Sequence, residues 1–296
     1  MELRHLRYFL KIAETSSFTQ AAKALNITQP TLSHQIKQLE EEIGTPLFDR
    51  AGRTVQLTAQ GAVFKTCAEG ALREIEQGLT ALSELEGLVR GTVTIGVFRS
   101  FSSSLLPPVL AQFSRDHPGV KVSVRQVPHA EIERGLIEGS FDIAIAYTPI
   151  ESRKISAEII FTEPLALVVG KNHPLYRQQR ISLSRLNGEP LILLSSEFPL
   201  RQQIDRCFAS RGITPQIVME MNSNEAILAT IRSSTHATIC AARTLVDTSN
   251  LHAMTLADPE LKRTTAILWR KDSYRSAAAN VIAQMIKSAY KLPKSP

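Results

Sequence analysis

The side chains best equipped for chemistry crowd into ALNITQPTLSHQIKQLE, residues 24–40. There Gln29, Thr31, Ser33, His34 and Lys37 offer an amide, two hydroxyls, an imidazole and an ammonium. On one face of a helix, such groups can donate and accept at base edges in a major groove about 12 Å wide. Gln suits adenine, Ser and Thr are tolerant, and Lys37 can reach guanine or a phosphate. A second cluster, Arg99-Ser100-Phe101-Ser102-Ser103-Ser104, stands just ahead of a helical pattern. Hydroxyls beside the free N–H groups of a helix start favour an anion. Blander readings stand beside both: a solvated polar helix face for the first, helix caps for the serines of the second. His129 is as readily a polar cap as a ligand, and Arg99 and Arg201 read as solvated basic chains.

The elements that must position the first cluster are three short helices and a hairpin. Leu6, Phe9, Leu10 and Ala13 recur at helical spacing, as do Phe18, Ala21, Ala22 and Leu25. Ser17 with Gln20 suits a capping box. After a break at Asn26–Ile27, Thr28 can cap a third helix, and Pro30 falls in its first turn, where a missing N–H removes nothing from the ladder. Leu32, Ile36, Leu39 and Ile43 give its buried stripe, and Gly44 suits its end. PLFDRAGRTVQLT has two short β-like stretches around Ala51–Gly52, the pattern of a small wing, with Arg50 and Arg53 near a backbone or minor groove. Two helices joined by a short turn make a helix-turn-helix whose second helix enters the major groove.

Residues 58–90 read as one long helix capped by Thr58. Leu72, Ile75, Leu79 and Leu82 recur at 3-4-3 spacing, close to a coiled-coil seam, so this helix is expected to pair two copies of the chain. From Gly91 strands and helices alternate. TVTIGVF, VKVSVRQV, FDIAIAY and PLALVVG are β-rich, with helical character at Leu105–Phe113 and Ile132–Ile137. LILLS, a helix over Arg201–Arg211, IVMEM, a helix over Asn224–Arg232, ATIC and HAMTL follow, then TTAILWR and a helix over Ala277–Lys291. This is an open α/β pattern long enough for two lobes. The fold class expected is therefore α/β overall, with an all-α winged helix-turn-helix at the N-terminus.

Composition narrows the function. The chain has 296 residues and a net charge of +6, distributed as +1 over residues 1–58, −2 over 59–90 and +7 over 91–296. The excess lies outside the helix-turn-helix, so charge alone makes no case for DNA. No apolar run approaches the ~18 residues of a membrane span, and MELRHLRYFLKIAE breaks its apolar residues with charge, unlike a secretory signal. A cytoplasmic protein without membrane contact is the expectation. Cys67, Cys207 and Cys240 form no CxxC, so neither a disulfide framework nor a metal site is indicated, and no cofactor is expected. GxSxG, P-loop, GxGxxG and HExxH are absent, which argues against an enzyme.

FTQAAKALNITQPTLSHQIKQLEEEIGTPLFDRAGRTVQLTAQG resembles the N-terminal domain of LysR-type transcriptional regulators almost position for position. GTVTIGV, FDIAIAY, EPLALVVGKNHPL and the final helix follow in that family's order, so the resemblance covers essentially residues 1–296. RSFSSSLLPPVLAQF, TEPLALVVG, LILLSSEF and RQQID look most like regulators of cyanate operons. The resemblance implies a winged helix-turn-helix over 1–58, a dimerising linker helix over 59–90 and an effector-binding domain over 91–296, two-lobed like periplasmic binding proteins. Lobe I would take 91–162 and 266–296, and lobe II 163–265, with crossings near Thr162–Glu163 and Arg263–Thr265. It implies contacts with double-stranded DNA from Ser17, Thr19, Gln20, Thr28, Gln29, Pro30, Thr31, Ser33, His34, Lys37, Arg50 and Arg53. It also implies a homotetramer, with RNA polymerase a further partner left open. Ligands of open α/β sheets sit beyond strand ends. That rule and the family's contacts place a small anionic effector, cyanate-like or a carboxylate, against Ser100, Phe101, Ser102, His129, Tyr147, Thr148, Ser195, Ser196, Phe198 and Asn222. Peroxide-sensing relatives use a cysteine pair; Cys207 has no partner cysteine near it in sequence, so a thiol switch is not expected. The competing reading is a solute-binding or enzymatic α/β protein with an incidental helical domain.

Overall fold

A computed structural model describes residues 1–49, 55–85, 91–242, 245, 249–256, 258 and 260–290. Arg50 and Arg53 lie outside the described residues, as does the side chain of Ser100. The N-terminal head holds α1 (Leu3–Thr15), α2 (Phe18–Ala24) and α3 (Gln29–Ile43). Leu6, Phe9 and Ile12 of α1 meet Phe18 and Ala21 of α2 and Leu32, Ile36 and Leu39 of α3 in one core. Each of the latter two helices has its cap: Ser17 Oγ accepts from the Gln20 N–H at 3.3 Å, and Thr28 Oγ1 from the Thr31 N–H at 3.3 Å. α3 ends where Gly44 adopts φ +83°, a left-handed turn that a side chain would strain. Ile43, the last residue of the apolar stripe, stands at the surface.

The wing is β1 (Phe48–Asp49) against β2 (Gln56–Leu57), antiparallel, with Phe48 opposite Leu57. Then comes α4 (Ala59–Leu85), capped by Thr58, whose Oγ1 accepts from the Gly61 N–H at 2.9 Å. A Cβ at Gly61 would collide with the Leu47 carbonyl oxygen, so this glycine lets the wing and α4 approach closely. Phe64 and Leu72 pack onto the head's core, whereas Ile75, Leu79 and Leu82 are exposed further along. Among the described residues no helix is long and apolar enough to cross a membrane.

The remaining chain forms β3 (Gly91–Val97), α5 (Arg99–Ser104), α6 (Leu106–Asp116), β4 (Val120–Gln126), α7 (His129–Ile137), β5 (Ile143–Tyr147) and β6 (Ile155–Gly170). After them come β7 (Arg180–Ile181), β8 (Pro190–Leu194), α8 (Pro199–Ser210), β9 (Gln216–Met221), α9 (Asn224–Arg232), β10 (Ala237–Ala241), β11 (Leu251–Leu256), β12 (Lys262–Arg270) and α10 (Ala277–Tyr290). Strand order β4-β3-β5-β12-β6 builds one lobe, and β6-β10-β8-β9, with β11 and β7, builds the other. β6 is longer than the apolar run PLALVVG suggests. Its first part pairs with β12 from Ile155 to Pro164, and its second part with β10 and β11 from Leu165 to Gly170. Where the lobes meet, Arg263 faces Glu163 and Thr264 faces Thr162 across β12 and β6, and the two threonine hydroxyls bond at 2.8 Å. Val93, Ile95, Val97, Ile143, Ile145 and Ile267 anchor the first lobe's larger core; Leu167, Val169, Leu191, Leu193, Ile231 and Ile239 anchor the second's.

Candidate functional site

The outer face of α3 is open to solvent. Thr28, Gln29, Pro30, Thr31, His34 and Lys37 are exposed and Ser33 is half-buried, while Leu32, Ile36 and Leu39 face the core. The helical period separates these sets without exception. Small bonds tie the row together: Gln29 Nε2 donates to Ser33 Oγ at 2.9 Å, and the Thr28 and Thr31 hydroxyls meet at 2.8 Å. Lys37 lies 3.5 Å from Glu41, an exposed pair that costs little to open. From α2, Thr19 and Gln20 are exposed, and Ser17 caps the helix from a half-buried position.

Two polar residues that sequence reasoning did not single out hold α3 in place. Buried His5 meets Gln35 through Nε2 at 3.1 Å, clamping α3 to α1. Glu40 Oε1 accepts from the backbone N–H groups of Leu47 and Phe48 at 2.8 and 3.2 Å, which ties α3 to the start of the wing.

A second site lies between the lobes. The cavity has a volume of about 340 Å³, with walls from Phe98 and Val127 on one side and Leu194, Phe198 and Leu200 on the other. Of the residues expected there, His129, Tyr147, Phe198 and Asn222 line it. Ser102, Thr148, Ser195 and Ser196 do not. Ser102 donates to Gln126 Oε1 at 3.0 Å. The Thr148 N–H donates to Thr264 O, and the Ser195 N–H to Met221 O. The Ser196 carbonyl accepts from Gln202. Phe101 turns into the first lobe's core, its ring 4.7 Å from that of Tyr147, and Phe98 takes its place at the cavity wall. The serine run is itself helical as α5, not a loop ahead of a helix.

The cavity's electrostatics centre on Arg263, which the sequence offered only as part of a crossing. Its guanidinium lies over the Tyr147 ring, 3.5 Å from the centroid. Burial pushes its pKa down, against the pull of Tyr147 and of Glu163 across the strand pair. His129 is held below the usual histidine range, first by burial and then by Arg263, against Glu133 and Glu151. Cys240 also lines the cavity, and burial, with the field of Glu163, pushes its thiol up to about 12.

Two other expectations meet their surroundings here. Arg201 is buried, not solvated: it donates to Asp205 and to the Leu194 carbonyl, each at 2.8 Å, and to Glu220. Burial raises the Cys207 thiol, aided by Asp258. Cys207, Asp258 and Glu260 converge, but Arg211 already supplies the cation, 2.7 Å from Asp258 and 3.1 Å from Glu260.

Comparison with known proteins matches this layout in two pieces. The family model "Bacterial regulatory helix-turn-helix protein, lysR family" covers residues 3–62, and "LysR substrate binding domain" covers 86–291. The HTH-type transcriptional regulator AlsR of Bacillus subtilis (strain 168) is 35% identical over 230 residues, 77% of this chain and 76% of that one. Among solved structures, a full-length, singly substituted OxyR from Pseudomonas aeruginosa gives a TM-score of 0.76 at 24% identity, covering 100% of this chain and 99% of that one. Full-length CbnR complexed with its target DNA gives 0.73 at 22% identity, over 98% and 100% of the two chains. At these identities the solved structures speak to the fold alone.

Proposed function

We propose, for a chain that belongs to the LysR family of transcriptional regulators, a division of the family's two tasks among particular residues. The chain is a DNA-binding regulator with an effector-binding domain, not an enzyme. α3 enters the major groove, with Gln29, Thr31, Ser33 and His34 at base edges and Lys37 at guanine or phosphate. Ser17, Thr19, Gln20, Thr28 and Pro30 border that surface, and Arg50 and Arg53 reach the backbone or minor groove from the wing. The observation that carries this reading is the open outer face of α3, capped at one end by Thr28 and clamped to its surroundings by His5 and Glu40.

The interlobe cavity takes a small anion as effector. Such a ligand shifts the protein only as far as it prefers one arrangement of the lobes over another. Ile75, Leu79 and Leu82 on α4 pair two copies, and two pairs form a homotetramer that sets reading heads on successive turns of the duplex. The setting is the cytoplasm, with RNA polymerase as a further contact on the bound promoter.

A salt-titrated gel shift of the full chain tests this, on the DNA upstream of its own gene against random duplex. A preference of several decades for the upstream DNA is expected. Equal affinity for both at every salt concentration would overturn it.

A further inference from the structure

Within the interlobe cavity one side chain retains bonding capacity that its surroundings do not use. A guanidinium carries five N–H donors in its plane and no acceptor. The Tyr147 contact occupies the face of Arg263 and leaves those edge donors available. Among the described residues the Arg263 guanidinium makes no hydrogen bond and no ion pair, and Glu163 acts on it through its field. The Arg263 side chain is half-buried, and an anion brought to its edge donors gains a charge-assisted fork there.

The rest of the cavity selects what that anion carries. Phe98 and Val127 from the first lobe face Leu194, Phe198 and Leu200 from the second, an apolar enclosure around one cation. His129 stands beside Arg263, and its own burial favours the uncharged ring. Glu225 lines the opposite side and opposes a second negative charge on the ligand. A volume of about 340 Å³ is at the small end of sites for organic ligands. A triatomic anion such as cyanate, no bigger than one or two waters of ~30 Å³ each, leaves most of those walls unfilled.

We infer that the ligand is an organic monocarboxylate with an apolar body, its carboxylate forked on the Arg263 guanidinium and its hydrocarbon held between Phe98 and Phe198. The inference rests on the interlobe cavity being the effector site. Because Arg263 lies at the strand crossing and the two phenylalanines belong to different lobes, one small molecule of this kind touches both lobes and their junction.

Calorimetric titration of the full chain tests it with hexanoate and cyclohexanecarboxylate, their amides, sodium cyanate and inorganic phosphate. The carboxylates should bind, and the amides at least about tenfold more weakly, since a charge-assisted fork is lost. Arg263→Gln should weaken carboxylate binding by the same factor. Phe198→Ala, which leaves the cation in place, should weaken it independently and covers the case in which the arginine variant fails to fold. Cyanate or phosphate binding in an Arg263-dependent manner without carboxylate binding would overturn the monocarboxylate while leaving the anion cleft standing. Carboxylate binding unchanged in both variants would place the ligand elsewhere and overturn the Arg263 assignment. No heat from any probe would overturn the inference and the anion-cleft reading together.

Discussion

Replacing Leu82 by Arg tests whether α4 joins two copies. In the single chain Leu79 and Leu82 are 58% and 61% exposed and Ile75 is 37% exposed, a row of apolar surface on one helix. Full burial of such a side chain contributes about 1.5–3 kcal/mol, so the exposed share of the three leaves about 3 kcal/mol per protomer unused, and twice that for a pair. Ordering and association costs reduce the net. Leu82→Arg removes roughly 3 kcal/mol of this in a symmetric pair, a dissociation constant raised about 100-fold. Arg is a good helix former, and Leu82 faces solvent in the single chain, so α4 itself should persist. Leu72 is a poorer probe despite its spacing, because it packs onto the core of the head and its loss would disturb α1 and α3 as well. Sedimentation velocity over a concentration series reads the outcome, with gel shifts on a two-half-site duplex alongside. An unchanged mass and an unchanged concentration dependence would refute the seam.

Other consequences can be measured directly. Gln29→Ala should cost about 1–3 kcal/mol of discrimination between upstream and random DNA with an unchanged salt slope; equal weakening on both would show that Gln29 does not read a base. Burial and Arg263 depress the folded-state pKa of His129 despite Glu133 and Glu151, so the folded protein favours the neutral ring. Stability from this group is whole above the unfolded value of about 6.5, falls as the pH drops through it, and levels off below the folded value. Thermal midpoints between pH 5 and 8 should therefore slope less in His129→Asn; parallel curves would remove the assignment. Iodoacetamide at about pH 8 should modify exposed Cys67 in the native chain and spare Cys207 and Cys240, whose thiols burial raises. Alkylated Cys240 in a peptide map of native protein would contradict its enclosure.

What the sequence makes legible is mostly local. Thr28, Pro30 and Gly44 mark both ends of α3, because caps, a fixed φ and a left-handed stop act within a few residues. The continuous apolar runs of β5 and β10 declare strands buried on both faces. The first half of β6 is harder to see: its ISAEIIF stretch is buried only at Ile155 and Phe161 and alternates half-buried and exposed residues between them, and its partner β12 lies about a hundred residues on in the chain. Strand ends pointed to His129, Tyr147, Phe198 and Asn222 by a topological rule, and all four line the cavity. Arg263 escaped that rule because its role depends on register with Glu163 and on stacking over Tyr147, both long-range facts. Arg201 misleads for the same reason. A basic residue near a helix start looks solvated until β8 and β9 bring Leu194 and Glu220 to it.

The same long-range pairing suggests how an occupied cleft relates to the reading head. β12 runs from Lys262 to Arg270, so its two ends are separated by about 25 Å of extended chain. Near one end Arg263 lines the cavity; at the other Arg270 bonds Glu74 of α4. Beside that bond Asp142 accepts from the Thr94 N–H at 2.7 Å and from Gln77 of α4, and the Arg73 chain lies against Gly139. α4 is thus fastened to the lobe that carries β3, β5 and β12, by contacts that a ligand in the cavity does not touch. The other lobe joins this unit at the crossing of β6 and β12, through pairs such as Thr162 with Thr264. A ligand gripping Arg263 and both phenylalanines therefore acts chiefly on the lobe that α4 does not hold. In the tetramer proposed above, the contacts that lobe makes with other copies offer a route from the cavity to the reading heads, alongside β12 itself, whose pairing with β6 shifts register between Thr265 and Ala266.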